Sequence, residues 1–134
     1  MRPSIATLFL ALILAQTAHS VEEYAFRLYD VLAPARYVSG LFGLDRPVGF
    51  AIVNAALVLF GLWCWQARIR PGHGSARGFA WFWALLEIAN GCGHVVLAGL
   101  AGGYFPGLAT APLLLVLGAW LALSLRPGGP ARGR

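Results

Sequence analysis

Residues 48–65 have the sequence VGFAIVNAALVLFGLWCW, eighteen positions without a charged side chain. A helix needs roughly 20 mainly apolar residues to cross the hydrocarbon core of a bilayer. This stretch therefore predicts a membrane-spanning helix. Three further apolar stretches cover about residues 4–28, 78–100 and 108–125. Together they predict an all-α, four-helix transmembrane bundle with short loops, organised as a single membrane domain over residues 1–134.

Composition supports a protein whose solvent is lipid. Hydrophobic residues make up 59% of the chain and charged residues 11%, whereas soluble domains carry about 25% charged residues. All ten basic residues are arginines, which give a net charge of +5. They flank the apolar stretches, so the expected partner is the lipid bilayer and its anionic headgroups, and no nucleic acid.

The segments between the apolar stretches complete the predicted organisation. The first stretch resembles a secretory signal peptide up to Ser20, but its apolar pattern resumes through Leu28, which favours a retained helix. Residues 29–47 predict a loop with a short interfacial helix between spans 1 and 2. Residues 126–134 predict a disordered tail. Cys64 and Cys92 each lie inside an apolar stretch, so we expect two buried thiols and no disulfide.

Arginine placement predicts the orientation. Arg68, Arg70 and Arg77 lie between the second and third spans, and further arginines lie near both ends of the chain. Four spans place all of them on one side, which the positive-inside rule makes the cytoplasm. We therefore expect cytoplasmic N and C termini. The use of arginine without lysine favours a GC-rich bacterial source, and we expect the protein in the bacterial cytoplasmic (inner) membrane.

Two stripes of polar residues interrupt the apolar helices. His19, Glu22 and Glu23 lie at positions i, i+3 and i+4 of the first span, and Gln16 extends the same helical face. On the third span, the residues that share a face are Glu87, Asn90 and His94. Ionisable residues inside a membrane are costly and usually face the bundle interior.

Equal depth predicts that the stripes meet. Both spans run in the same direction, and each reaches its histidine, His19 or His94, after about 15 residues, or roughly 23 Å of helix. Asn54 of the second span lies at a similar level. We therefore predict one polar cavity in the outer half of the bundle.

Imidazoles and carboxylates in one cavity are typical ligands of Zn²⁺ or iron, so the expected cofactor is a divalent metal. The predicted ligands are His19, Glu23, Glu87 and His94, with Glu22 as the general base. Asn90, Asn54 and Gln16 would orient the ligands or bind substrate. The favoured function is a metal-dependent hydrolase of a lipid or other apolar small molecule, with oxygen-dependent iron chemistry as competitor. Two other classes stay open: a small proton-coupled transporter, and an accessory subunit whose polar residues join helices.

Three motifs resemble those of the HXXEE-motif family of small bacterial integral membrane proteins. They are His19-Ser20-Val21-Glu22-Glu23, the Asn90-to-His94 element, and the turn Tyr104-Phe105-Pro106-Gly107 followed by Thr110. The resemblance covers about residues 5–125. It implies a multi-span fold with the motifs grouped in space, and it implies no particular reaction.

Overall fold

The computed structural model describes residues 3–127, so Arg2 and most of the predicted tail, residues 128–134, lie outside the described part. Within that part the chain is helical and has no strand. The helices are α1 (Ile5–Ala25), α2 (Leu28–Val31), α3 (Ala33–Gly40), α4 (Arg46–Cys64, continued by a π turn over Trp65–Ile69), α5 (Ala76–Ala101) and α6 (Ala111–Leu125).

Three helices are long and apolar enough to cross a membrane: Ile5–Ala25, Arg46–Ile69 and Ala76–Ala101. The fourth predicted span is not confirmed. Its helix, α6, is apolar but has only 15 residues, about 22 Å at 1.5 Å per residue, against about 30 Å of hydrocarbon. Residues 102–110 form a turn between α5 and α6 that extends into the first part of the predicted span.

The first helix is shorter than predicted. It ends at Ala25, and Arg27 adopts a left-handed conformation with φ 57°. Arg27 also forms an ion pair with Asp30 of the short helix α2, in which Arg27 Nη2 lies 2.7 Å from Asp30 Oδ2. The helix expected between the first two spans is present as α3, which begins with Pro34 in its first turn.

The bundle has an apolar end and a polar end. At the apolar end, α1, α5 and α6 enclose Phe9, Leu12, Trp83 and Leu121, which are all fully buried. The basic loop between α4 and α5 lies at this end. The polar end contains α2, α3 and the turn between α5 and α6. Cys64 is buried as expected, but the expectation was wrong for Cys92, which is exposed on the surface of α5.

Small residues allow α5 and α6 to pack closely. A Cβ added at Gly91 would lie 2.9 Å from the backbone oxygen of Ala111 and 2.7 Å from Leu115 Cγ, whereas one added at Gly93 would meet nothing within 4 Å. The two glycines lie two residues apart on one helix, so they test the packing as a matched pair.

We expect Gly91→Ala to lower the free energy of unfolding by about 1–3 kcal/mol, because the new methyl group must push α6 away. Gly93→Ala should be neutral or stabilising by up to about 1 kcal/mol, since alanine favours the helix. Thermal unfolding in detergent measures both effects. Equal stability of the two variants would contradict the close packing.

Candidate metal centre

Two helices bring together three buried side chains of the types that can ligate a metal. His19 and Glu23 lie one turn apart on α1, and His94 reaches them from α5. Glu23 Oε1 lies 3.3 Å from His19 Nε2 and 3.0 Å from His94 Nε2. The imidazole rings meet edge to face, with centroids 4.6 Å apart. Exposure is 0% for His19, 4% for His94 and 7% for Glu23. The prediction that the two polar stripes meet is therefore confirmed for His19, Glu23 and His94.

The three ligand atoms are spaced as a metal would need them. One atom from each residue lies within 4.8 Å of the other two. Bonds of about 2.1 Å at tetrahedral angles would separate neighbouring ligand atoms by about 3.4 Å. The two distances to Glu23 are close to this value. His19, Glu23 and His94 thus form a cluster that fits a divalent cation, and we call it the His–Glu–His cluster.

Glu22 points away from this cluster and binds the start of α6. Its carboxylate accepts hydrogen bonds from Tyr104 Oη at 2.5 Å, Ala109 N at 3.0 Å, Thr110 N at 2.9 Å and Thr110 Oγ1 at 2.6 Å. Thr110 is the N-cap of α6, and a helix N-terminus favours a carboxylate. The predicted general base is therefore fully occupied with binding the turn.

Thr110 connects Glu22 to the cluster. Its hydroxyl lies 2.7 Å from His19 Nδ1. The single hydroxyl hydrogen is directed to Glu22, so His19 Nδ1 must carry the hydrogen of its own contact and donate it to Thr110. In a neutral imidazole this leaves the lone pair on Nε2.

An unpaired buried atom lies within the cluster. His19 Nε2 has no hydrogen-bond partner among the described residues, and neither has His94 Nδ1, which faces Gly107 instead of Glu23. A neutral His19 directs a lone pair at a carboxylate oxygen 3.3 Å away, which is unfavourable without a positive charge between them. Either a proton on Nε2 or a cation held by His19 Nε2, His94 Nε2 and Glu23 removes this repulsion. The donor set of His19, Glu23 and His94 therefore fits a metal.

The turn between α5 and α6 covers the imidazoles. Gly107 has φ 93°, and a Cβ there would lie 2.5 Å from His94 Nδ1 and 2.8 Å from His19 Cε1. Only glycine combines this backbone conformation with so close an approach. The Phe105 ring, 6.0 Å from the His94 ring between centroids, closes the same side.

The remaining predicted site residues form a second polar group beside the cluster. The Gln16 amide lies 2.7 Å from Glu87 Oε2 and 3.0 Å from Ser20 Oγ, and Asn90 lies 3.3 Å from Gln16. Ser20 donates to Asn54 Oδ1 at 2.7 Å. Glu87 is fully buried, but it is not part of the His–Glu–His cluster. We refer to these side chains as the amide network: Gln16, Ser20, Asn54, Glu87 and Asn90.

A family model described as "Protein of unknown function with HXXEE motif" matches residues 10–121. The chain belongs to this family. No curated protein and no solved structure matches it.

The geometry gives each residue of the HXXEE motif a separate position. The histidine and the second glutamate, His19 and Glu23, belong to the cluster, while the first glutamate, Glu22, binds the α6 turn. Of the predicted residues, the structure joins His19, Glu23 and His94. Glu87, Asn90, Asn54 and Gln16 lie in the adjacent amide network. Sequence reasoning did not assign Thr110, Gly107 or Ser20 to the site, although the first two lie in the turn that resembled the HXXEE family.

Thr110→Val should weaken metal binding by roughly 10–100-fold, because partners that orient a ligating imidazole typically contribute that much. Valine keeps the shape of threonine but loses the hydroxyl that accepts from His19. Thr110→Ser keeps the hydroxyl and is the matched control. Zn²⁺ titration against a competing chelator measures the affinity, and unchanged affinity in the valine variant would contradict the tautomer assignment.

Tyr104 lies in the turn outside the spanning helices, where desolvation of its hydroxyl and the hydrogen bond to Glu22 raise its pKa to about 12. An unperturbed tyrosine ionises near pH 10. Because the folded protein holds this proton more tightly, the stabilisation is complete below about pH 10 and is lost as the pH rises towards 12. Subtracting the ultraviolet titration of Tyr104→Phe from that of the wild type should give a midpoint near pH 12. A midpoint near 10 would mean that the bond to Glu22 is not formed.

Proposed function

We propose that this HXXEE protein is a membrane-embedded metal-dependent enzyme, most simply a hydrolase that acts on a lipid or another apolar substrate. The observation that carries the proposal is the His–Glu–His cluster, buried in apolar helices with both Nε2 atoms directed at Glu23. Three protein ligands leave a coordination position free for water or substrate, as in catalytic zinc sites, whereas structural sites are closed by four ligands.

Access to substrate supports an enzyme over a structural site. Glu23 also lines a cavity of about 420 Å³ that contains Glu87, Asn90 and Gln16. A ligand of the proposed metal therefore borders a space of the size that small molecules occupy, about 300–1,000 Å³. A metal there would supply a polarised water or substrate carbonyl.

The geometry redistributes the predicted roles. His19, Glu23 and His94 hold the metal, and Glu22 orients His19 through Thr110. Glu22 has no free oxygen for a base, so the role of proton transfer passes to Glu87, the other carboxyl group in the cavity, acting as a general acid. Asn90, Asn54 and Gln16 supply hydrogen bonds to Glu87 or to substrate.

The same donor set favours a second chemistry. Two histidines and one carboxylate with free positions are the ligands of non-haem iron oxygenases. Zinc with hydrolysis and iron with oxygen chemistry are therefore the two forms of the proposal. A carrier is less well supported, because Phe9, Leu12, Trp83 and Leu121 fill the other end of the described bundle and leave it without a polar path.

We also propose four spans in the bacterial inner membrane with cytoplasmic termini. The outward face of α6 carries Leu113, Val116, Trp120 and Leu123, all exposed, which supports a lipid-facing helix despite its length. Arg68 lies in the π turn that ends α4, Arg70 follows it, Arg77 lies in the first turn of α5, and Arg126 follows α6. This concentration of arginine at one end of the bundle favours a cytoplasmic position for that end.

The first experiment is elemental analysis of the protein purified from cells supplied with zinc, iron and manganese. We expect about one metal ion per chain in the wild type and its loss in His19→Ala, His94→Ala and Glu23→Gln. His73→Ala is the matched control, because His73 is an exposed loop residue that contacts Arg68 and Ser75. Its metal content should equal that of the wild type.

Metal identity and turnover then separate the two chemistries. Zinc together with cleavage of fluorogenic esters, abolished by a chelator and by Glu87→Ala, supports the hydrolase. Iron in the purified protein together with dioxygen consumption would contradict the hydrolase and support the oxygenase. Absence of metal from every preparation, with unchanged thermal unfolding of the histidine variants, would overturn the metal centre itself.

A further inference from the structure

The cavity beside the cluster separates polar from apolar wall residues. Its polar residues are Glu23 and four members of the amide network, and the rest of the wall is apolar. The deepest polar groups are buried: Gln16 is 2% exposed and Glu87 is 0% exposed. This arrangement matches a molecule with one polar group and a hydrocarbon chain.

The cavity opens towards lipid. Its walls on α4 and α5 include Val53, Leu57, Leu86 and Ala89, of which Ala89 is exposed and the other three are half-buried. At the polar end α3 closes the cavity with Ala35 and Val38. A molecule would therefore enter sideways between α4 and α5, from within the bilayer.

The hydrogen-bond directions of the amide network favour a neutral Glu87. Asn54 donates to the backbone oxygen of Phe50 at 3.1 Å, which turns its side-chain oxygen towards Ser20. The Ser20 hydrogen is used in that 2.7 Å contact, so Ser20 accepts from the Gln16 nitrogen. The Gln16 oxygen then faces Glu87 Oε2 at 2.7 Å. Two oxygens this close require a hydrogen between them, and only Glu87 can supply it.

The opposite arrangement leaves one contact unsatisfied. An ionised Glu87 would require the Gln16 amide to be reversed, with its nitrogen towards the carboxylate. Ser20 would then donate to Gln16, and no hydrogen would remain for the 2.7 Å contact between the oxygens of Ser20 and Asn54. Reversal would also place the Gln16 nitrogen 3.3 Å from the nitrogen of Asn90. The neutral acid satisfies every contact in the network.

Charge balance in the site therefore disfavours a charged ligand. The two charged carboxylates, Glu22 and Glu23, would balance the two positive charges of a bound divalent metal, and a neutral Glu87 would add none. An anionic head group would bring an unbalanced charge into an apolar surrounding.

We infer that the cavity binds a single-chain amphiphile with an uncharged hydrogen-bonding head, taken up sideways from the bilayer. The inference rests on the proposed function, in which this amphiphile is the substrate. Its head lies between Glu23, Glu87 and Asn90, and its chain lies between α4 and α5 against Leu57 and Leu86.

Photo-crosslinking tests this inference without depending on turnover. The protein is placed in nanodiscs of dioleoylphosphatidylcholine with one of two probes, a monoacylglycerol or a fatty acid, that carry the same diazirine-bearing chain. Mass spectrometry locates the labelled residues. We expect the monoacylglycerol to label the cavity walls of α4 and α5, and the fatty acid at pH 9 to label them about tenfold less, because its charged head is excluded.

A pair of tryptophan variants locates the occupant. Ala89→Trp fills the opening between α4 and α5 and should abolish labelling of the cavity walls. Leu85→Trp lies on the same helix at an exposed position and should leave labelling unchanged. Equal labelling by both probes, labelling by neither, or labelling that persists in Ala89→Trp would overturn the inference.

Metal content is measured in the same preparations, so that the two proposals fail separately. If the cavity walls are labelled as expected in a protein that binds no metal, the amphiphile site is supported and the proposal of a metal-dependent enzyme is contradicted. If the protein binds metal but shows no specific labelling, the metal centre is supported and the amphiphile site is contradicted.

Discussion

Two imidazoles and a carboxylate buried among apolar helices are the constraint on which the polar end of this bundle depends. Each polar atom taken from water must find a partner, and a bilayer supplies none. Glu23 of α1 meets His94 of α5 at 3.0 Å, which requires the two helices to place these side chains at the same height. This requirement fixes the relative positions of the two helices. Gly107 then allows the α5–α6 turn to cover the rings.

The adjacent glutamates of the motif have different roles because consecutive helical residues point about 100° apart. Glu23, one full turn beyond His19, shares its face and meets His94. Glu22 points sideways to α6, where Ala109 and Thr110 offer backbone N–H groups. One turn of α1 therefore contacts both α5 and α6, and the hydroxyl of Thr110 joins the two contacts through His19.

Helical periodicity could predict the residues that meet, but not the way each is used. The stripes of His19 and His94 follow from spacing and depth, and the HXXEE family follows from the motif letters. The end of α1 does not, because the chain turns at Arg27 in a left-handed conformation that no glycine marks in the sequence. The role of Thr110 was equally hidden. A threonine before an apolar stretch predicts a helix cap, and only the fold shows that its hydroxyl reaches His19, 91 residues away.

The shape of the interior restricts the approaches to the site. Large apolar side chains such as Phe9 and Trp83 fill the basic end, and α3 covers the polar end. Among the described residues one opening lies between α4 and α5, and an apolar cavity between α1 and α4 also reaches Ser20 and Asn54. Openings between spanning helices would admit molecules already dissolved in the membrane and exclude bulk water, which strengthens every electrostatic contact within the site. A polar interior with lateral openings would therefore be better suited to chemistry on a membrane-dissolved molecule than to transport across the membrane.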